Sequence, residues 1–592
     1  MTSSNVAVLV VGAGPVGLAL AGDLGWRGVK CSLVEKTDGS IYQPKMDMVG
    51  IRTMEFCRRW GIAGWVEASP YPRDYPQDNV WLESLTGFEF GRERMVSKNE
   101  ERCPPQSPQK RERCPQDMFD PILRRFAGQF SEIAFRYRTE LIDFEERKDD
   151  VVATLRNLET DAIETVTACY LVGTDGAASV VREKLGIAML GEPVLTYTTN
   201  VIFRCRDLPS LHDKGKAYRF IFIGREGTWL TIVAIDGADR WRMSIIGDKS
   251  KRAIPESEIR ALIVRAMGKP FDFEIESVMP WVRRELVAER YDSERVFLAG
   301  DACHLMSPTG GFGMNTGIAD AVDLAWKLEA VVKGWGGPEL LRSYSIERKP
   351  VAERAVNEAS DNLKRMLAAR KQAPPEVAFR PGPEGDAARK DYGEWYTGIM
   401  KREWYSSGIH LGFNYNHSPV VCPDGSAAPL DEVSNYIQSA RPGHRAPHAW
   451  LKDGRSTLDL FGRGFVLLSF AGNKTVGVAF VESARERDVP LRVIDLSGEQ
   501  EVHRLYGAAH VLVRPDGHVA WRGDELPDSV DDVIDIIRGA ARRRADARPL
   551  AARAIAPQAG SLTRQSLNIT PPAVAGRPAA GAFEPIRDKR GR

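Results

Sequence analysis

The sequence predicts an α/β protein in which a Rossmann-like domain opens the chain, a β-sheet domain is inserted into it, and a further α/β region follows. Three observations carry this. An apolar run turns into a helix through Gly12-Ala-Gly14-Pro15-Val-Gly17 and is followed by a second strand ending at Glu35. From about 191 to 280 the pattern changes to strand-like segments rich in aromatic and β-branched residues, broken by Gly and Asp turns. From Phe465 onward, strands and helices alternate again. At 592 residues the chain is about four times a typical ~150-residue domain, so several cores are expected and a small disulfide-stapled scaffold is excluded.

Residues 6 to 11 form the first strand, the helix runs to about Arg27, and Val29 to Val34 form the second strand of one βαβ unit. The uncharged run Val6 to Gly22 holds four glycines and Pro15, and no Lys or Arg precedes it, so it reads as a buried strand and helix and not as a signal peptide. Residues 98 to 116 are Pro-rich and charged and are expected to cross the surface. A helix is expected from Asp120 as N-cap with Pro121 in its first turn. In the insert, Tyr218 to Ile223, Trp229 to Ile235 and Trp241 to Ile246 read as strands. The strand Val296 to Ala299 leads through Gly300-Asp301 into a long helix with Ile318, Ala321, Val322, Ala325, Leu328 and Val332 on one face. The stretch near 372 to 386 reads as a linker. Beyond it come strands at Phe465 to Phe470, Leu491 to Leu496, His510 to Val513 and His518 to Trp521, then a helix from Ser529. Residues 541 to 592 hold eleven basic and three acidic residues among many Ala and Pro, a composition expected to be disordered.

The 81 Lys and Arg against 80 Asp and Glu give a net charge of +1, which supplies no field to draw nucleic acid or an anionic membrane. Eight cysteines are scattered with no C-x-x-C and no metal-like pairing with the nine histidines, so neither a metal nor a disulfide framework is expected, and a reducing cytoplasm is the simplest home.

In the first motif Gly12 makes a tight turn, Gly14 and Pro15 let a pyrophosphate approach the backbone, and Gly17 packs helix against strand. Glu35 stands where it can accept ribose hydroxyls; a glycine-rich turn in any parallel sheet is the other reading. A second motif runs Cys169-Tyr-Leu-Val-Gly-Thr-Asp175-Gly176, a strand ending in Asp-Gly before a helix. A third runs Gly300-Asp301-Ala-Cys-His-Leu-Met-Ser-Pro308-Thr-Gly310-Gly311-Phe-Gly313-Met314-Asn315. A carboxylate at a strand end can hold ribityl hydroxyls, the glycines let the chain lie against an isoalloxazine, and the helix N-terminus favours the anionic reduced ring. Cys303 and His304 lack a third orienting group and are not read as a nucleophile and base.

With these three motifs in this order, residues 6 to 370 resemble the class A FAD-dependent aromatic-ring hydroxylases built like para-hydroxybenzoate hydroxylase. The C-terminal third, including Ser439-Ala-Arg441-Pro-Gly443-His444-Arg445, resembles the thioredoxin-like domain of the phenol 2-monooxygenase and 3-(3-hydroxyphenyl)propionate hydroxylase branch. The resemblance implies FAD bound by Gly12, Gly14, Pro15, Gly17, Glu35, Gln116, Asp175, Asp301, Gly311, Gly313, Met314 and Asn315, with Pro308 at the flavin face. Lys45 stands where many members carry Arg. Asp175 belongs to a motif tied to both FAD and nicotinamide-nucleotide binding, and a structural strand cap is its alternative.

The implied domains are 1–190 with 281–370 for FAD, 191–280 with parts of 75–115 as a β-sheet substrate domain, 371–410 as a linker, 411–540 as a thioredoxin-like domain without C-x-x-C, and 541–592 as a disordered tail. The implied reaction uses NADPH or NADH and O2 to hydroxylate a small phenolic substrate, with no nucleic-acid or membrane partner and a possible homodimer. Asp47, five residues before Arg52, stands at the spacing of the base that takes the phenolic proton; a solvated loop carboxylate is its other reading. Arg242 and Tyr218, in the insert, are the further candidates at the ring. An FAD-dependent dehydrogenase or reductase on the same fold, and a nucleotide-binding regulator, are the rival functions. The C-terminal region is expected to be dispensable for the chemistry, since every flavin motif precedes residue 320.

Overall fold

The apolar strand Ser4–Val11 lies inside a seven-stranded sheet in the computed structural model, which describes residues 4–472 and 474–541. Parallel strands flank it, Cys31–Glu35 on one side and Ile163–Gly173 on the other. A strand covered on both faces has no use for polar alternation, and Val8, Leu9 and Val10 are fully buried. Ile133–Tyr137 extends the sheet beyond Cys31–Glu35. Across from it, Ile163–Gly173 pairs first with the antiparallel strand Val151–Asn157 and, at its last residues, with Val296–Leu298. The helices Pro15–Trp26 and Gly313–Val332 pack on each other within the same core.

The insert is an eight-stranded sheet whose middle strands are Met189–Arg204, Arg240–Ile246, Gly227–Ala234 and Arg219–Gly224. One face buries Phe220, Phe222, Ile232, Trp241 and Met243 against Ile259 and Ile263 of the helix Glu256–Met267. Side chains alternate across a strand, so Arg219, Arg242 and Ser244 occupy the opposite face. That face is polar around Arg219, Arg242 and Ser244 and apolar at Trp81 and Ile221, and its polar part is the one that matters below.

In the last region the strands Phe465–Ser469, Leu491–Asp495, His510–Val513 and Val519–Gly523 form a four-stranded sheet in which the first pairs parallel with the second and antiparallel with the third. With helices after the first, second and fourth strands, this is the thioredoxin-like topology. Its core is continuous with the flavin-motif region, because Trp326, Trp335 and Leu340 pack with Phe465, Trp521 and Ile534.

Three local expectations change. The stretch 371–410 is no linker: it holds the helix Pro383–Trp404, whose Tyr392, Tyr396 and Met400 are buried against Trp81, Phe90 and Ile221 of the insert. The helix expected from Asp120 starts at Gln116 and carries Pro121 inside it, so the Asp120-Pro121 pair does not mark its N-terminus. Residues 98 to 116 do not simply cross the surface, because their charges are mutually paired and therefore buriable: Lys98 and Lys110 both bond Glu112, at 3.1 and 3.0 Å. The basic tail from 542 lies outside the described residues. Among the described residues no helix is long and apolar enough to cross a membrane.

Candidate active site

At the tip of the first strand Gly12 adopts φ +105°, and a Cβ there would stand 2.5 Å from the Thr174 carbonyl oxygen. A Cβ on Gly17 would collide with the Gly12 carbonyl oxygen. Gly14 is different: nothing lies within 4 Å of where its Cβ would be. The helix that begins at Pro15 has no side-chain cap, so its first N–H groups face that open space. Glu35 accepts the Ala13 N–H at 2.8 Å and, through its other oxygen, the Thr37 N–H and hydroxyl at 2.8 Å.

The second motif is stitched to this turn. Thr174 donates its hydroxyl to the carbonyls of Val11 and Gly12, at 2.9 and 2.8 Å. Asp175 accepts the Val181 N–H at 3.2 Å at the start of the short helix Val180–Lys184, the geometry of a strand and helix cap. Arg182 reaches the Ala302 carbonyl at 3.1 Å, tying the second motif to the third.

In the third motif Asp301 and Pro308 are exposed, and the Gly311 N–H donates to the Pro308 carbonyl at 3.0 Å. Gly310 and Gly311 take φ +93° and +68°, and the space beside Gly311 is open. The helix Gly313–Val332 again has no side-chain cap, with Met314 half-buried in its first turn. Asn315 is a clasp: Oδ1 accepts the Gly50 N–H at 2.8 Å and the Thr53 hydroxyl at 2.7 Å, and Nδ2 donates to the Gly311 carbonyl at 2.8 Å. Lys45 is exposed, and its backbone N–H donates to Gln116 Oε1 at 3.0 Å. Gln116 in turn donates to Asp120 at 3.1 Å, and burial pushes the Asp120 carboxyl up to about 7.

Asp47, Tyr218 and Arg242, far apart in sequence, form one cluster. The Tyr218 hydroxyl donates to Asp47 Oδ2 at 2.5 Å, and Arg242 grips both carboxylate oxygens at 3.1 and 2.9 Å. Arg113 lies over the Tyr218 ring, 3.6 Å from its centroid. Burial alone would raise the Asp47 pKa, but the charges of Arg242 and Arg113 and the Tyr218 hydrogen bond hold it below the ordinary carboxylate value. A solvated loop aspartate is therefore not what stands here. Ser307, beside Pro308, accepts from Arg283 of the sheet at 3.0 Å.

Arg113, Arg283, Ser307, Arg370 and Glu403 were absent from the sequence-derived set. No local sequence pattern marks Arg283, Arg370 or Glu403.

Two uncapped helix N-termini, glycines that open the backbone to a ligand, and carboxylates at two strand ends define a flavin-nucleotide-binding α/β protein with a polar sheet beside its cofactor cleft. Residues 5–359 match the FAD binding domain model, and residues 439–541 match the aromatic-ring hydroxylase C-terminal model. FAD-dependent monooxygenase apdD of Emericella nidulans is 32% identical over 554 residues, covering 88% of each chain. The 2,4-dichlorophenol 6-monooxygenase of Delftia acidovorans is 32% identical, covering 89% of this chain and 98% of its own. Among solved structures, RebC with bound 7-carboxy-K252c superposes with TM-score 0.84 at 39% identity, covering 91% of this chain and all of that one. The chain belongs to the FAD-dependent aromatic-ring hydroxylase family. It is an FAD-dependent monooxygenase, with NAD(P)H as the co-substrate typical of that family. These matches give no support to a dehydrogenase or a regulator.

Proposed function

We propose that this enzyme hydroxylates a phenolic ring held between the polar face of the eight-stranded sheet and the loop from Pro308 to Gly313. The name of the Delftia relative, a chlorophenol monooxygenase, supports a phenol. Bound FAD would supply the redox chemistry, taking electrons from NADPH or NADH and activating oxygen. Gly12, Gly14 and Pro15 with the uncapped helix would hold its pyrophosphate, with Gly17 packing the helix behind them. Glu35 would take the ribose, Asp301 the ribityl chain, and Gly311, Gly313, Met314 and Asn315 the pyrimidine edge. Gln116 and Lys45 would border the nucleotide, and Asp175 would cap the strand behind it.

The chain's own chemistry lies with the proton. Tyr218 commits its hydroxyl hydrogen to Asp47, which leaves its oxygen lone pairs to accept the substrate's hydroxyl hydrogen. As Tyr218 takes that proton, its own passes to Asp47 Oδ2. Arg242 supplies positive charge where the phenolate forms. Since Arg242 and Arg113 keep Asp47 weakly basic, the proton stays on the phenolic oxygens in the ground state and moves only as the ring gives up electron density.

We further read 1–190 with 281–370 as the flavin unit, 191–280 with parts of 75–115 and the helix Pro383–Trp404 as the substrate unit, and 411–540 as the thioredoxin-like unit. All eight cysteines are free thiols, which supports a reducing, cytoplasmic setting.

The observation that carries the reading is the chain Tyr218, Asp47, Arg242 on the sheet face. Asp47→Asn is expected to keep its FAD while hydroxylation falls roughly 10²- to 10⁴-fold. Nicotinamide oxidation is expected to fall less, with hydrogen peroxide released in place of product. Unchanged rate and yield in that variant would remove Asp47 from the mechanism.

A further inference from the structure

The sheet face that presents Arg242 carries more positive charge than the chain neutralises. Five guanidinium groups interact there, those of Arg113, Arg219, Arg242, Arg283 and Arg370, and two carboxylates answer them. Asp47 pairs with Arg242 at 2.9 Å and Glu403 with Arg219 at 3.2 Å. Neither Arg283 nor Arg370 has an ion-pair partner among the described residues. Arg283 donates to the hydroxyls of Thr198 and Ser307, at 3.2 and 3.0 Å, and is 5% exposed. Arg370 donates to the backbone carbonyls of Thr228 and Ile246.

Burial, and the like charges of Arg219, Arg242 and Arg370, bring Arg283 down to about 10 against the pull of Glu403. Burial lowers Arg370 in the same direction. Neutral oxygens accept from both guanidiniums but leave their charge unanswered, buried at Arg283 and partly buried at Arg370. A second orphan stands beside them: Trp281, whose ring centroid is 5.0 Å from the Arg283 guanidinium, has a buried indole N–H with no acceptor. A cleft opens next to Arg219, Ser244 and Arg370, with Ile221, Met366 and Met400 as an apolar wall. Donors in excess, an unmet indole and an apolar wall describe a place for an aromatic acid.

We propose that the substrate is an aromatic carboxylate, with Arg370 and Arg283 as the residues that hold its carboxylate and the Asp47, Tyr218, Arg242 cluster at its hydroxyl end. The planar forks of two guanidiniums match a carboxylate's two oxygens. This proposal rests on the hydroxylase reading for the identity of the site.

The test uses the FAD-loaded full chain and a matched pair of probes, 3-hydroxy-2-naphthoate and 2-naphthol, with dissociation constants read from the flavin absorbance. The acid is expected to bind at least about ten-fold tighter at low ionic strength, a gap that added salt narrows. Arg370→Met and Arg283→Met are each expected to erase that gap, Arg370→Met with 2-naphthol kept within about two-fold, and Arg370→Lys to restore part of it. Equal or tighter binding of 2-naphthol, binding of neither probe, or an acid preference that survives both methionine variants would overturn the proposal. So would a shifted flavin reduction potential with the acid preference intact, which would assign the charge to the reduced flavin. The two readings fail separately. Acid that binds without stimulating nicotinamide oxidation or gaining oxygen contradicts the hydroxylase reading and leaves the anion pocket standing. A neutral phenol hydroxylated while the acid does not bind does the reverse.

Discussion

Gly14 and Gly17 are three residues apart and do opposite work. The space beside Gly14 is empty of protein, whereas a side chain on Gly17 meets the Gly12 carbonyl. Gly14→Val is therefore expected to give a folded protein without its yellow cofactor, seen as an unchanged far-UV spectrum with flavin absorbance lost. Gly17→Val should instead lower the melting temperature even of cofactor-free protein. Full flavin occupancy in folded Gly14→Val would place the pyrophosphate elsewhere. Asp120 offers a test in pH. Its folded-state pKa of about 7 lies above the unfolded value of about 3.9, so the folded chain takes up a proton between the two. That contribution to stability is whole below the unfolded pKa and is lost as pH rises through about 7, by about 4 kcal/mol at most. Asp120→Asn should flatten this loss, measured as the urea midpoint at acidic and mildly alkaline pH; parallel profiles for the two proteins would refute it. The glycines were legible because a tight turn fixes their spacing along the chain. Arg283 and Arg370 were not, because what singles them out is the lack of an anion in three dimensions.

The helix Ile51–Arg59 follows directly on the Asp47 segment and is held from three sides. Asn315 clasps its start, and Glu55 accepts from Arg52 at 2.8 Å, Ser107 at 2.6 Å and Arg445 Nε at 2.9 Å. Arg445 lies within the matched C-terminal region, residues 439–541, so that region braces the helix next to the Asp47, Tyr218 and Arg242 cluster. Arg445→Met leaves Glu55 with one of its two cations and should cost ~3–5 kcal/mol, the usual penalty for a broken buried pair. Glu55→Gln combined with Arg445→Met should cost less than the two singles summed, and strict additivity in denaturation would show the pair uncoupled. Sequence patterning is least informative for elements of this kind. The Pro-rich loop around Ser107 and the helix Pro383–Trp404 look solvated from composition, yet paired charges let the first be buried and aromatic residues spaced along the second give it an inward face.

Across the whole molecule the thioredoxin-like unit is not an appendage. Trp326 and Trp335 pack against Phe465, and Arg514 places a buried charge between Glu347 and Asp323, at 2.6 and 3.0 Å. The C-terminal region through 540 is thus part of the shared core, whatever its place in the chemistry: ending the chain at 410 would bare that apolar surface and strip Asp323, Glu347 and Glu55 of one cation each. Such a truncation should be insoluble, while one ending at 541 should keep FAD and turnover; a soluble, active 1–410 fragment would contradict the shared core. The α/β order, the insert and the alternating C-terminal strands were legible because each has its own period, but their joining was not, since it depends on single buried arginines. The central claim is that this assembly inserts an oxygen atom from O2 into a phenolic ring through the cluster at Asp47. Its most direct test supplies oxygen-18 gas to the enzyme with a hydroxylated aromatic that stimulates nicotinamide oxidation, and weighs the product by mass spectrometry for wild type and Asp47→Asn. The account predicts one labelled oxygen per nicotinamide oxidised in the wild type and a collapse of that ratio, with peroxide in its place, in the variant. Unlabelled product, or a ratio unchanged by the substitution, would contradict it.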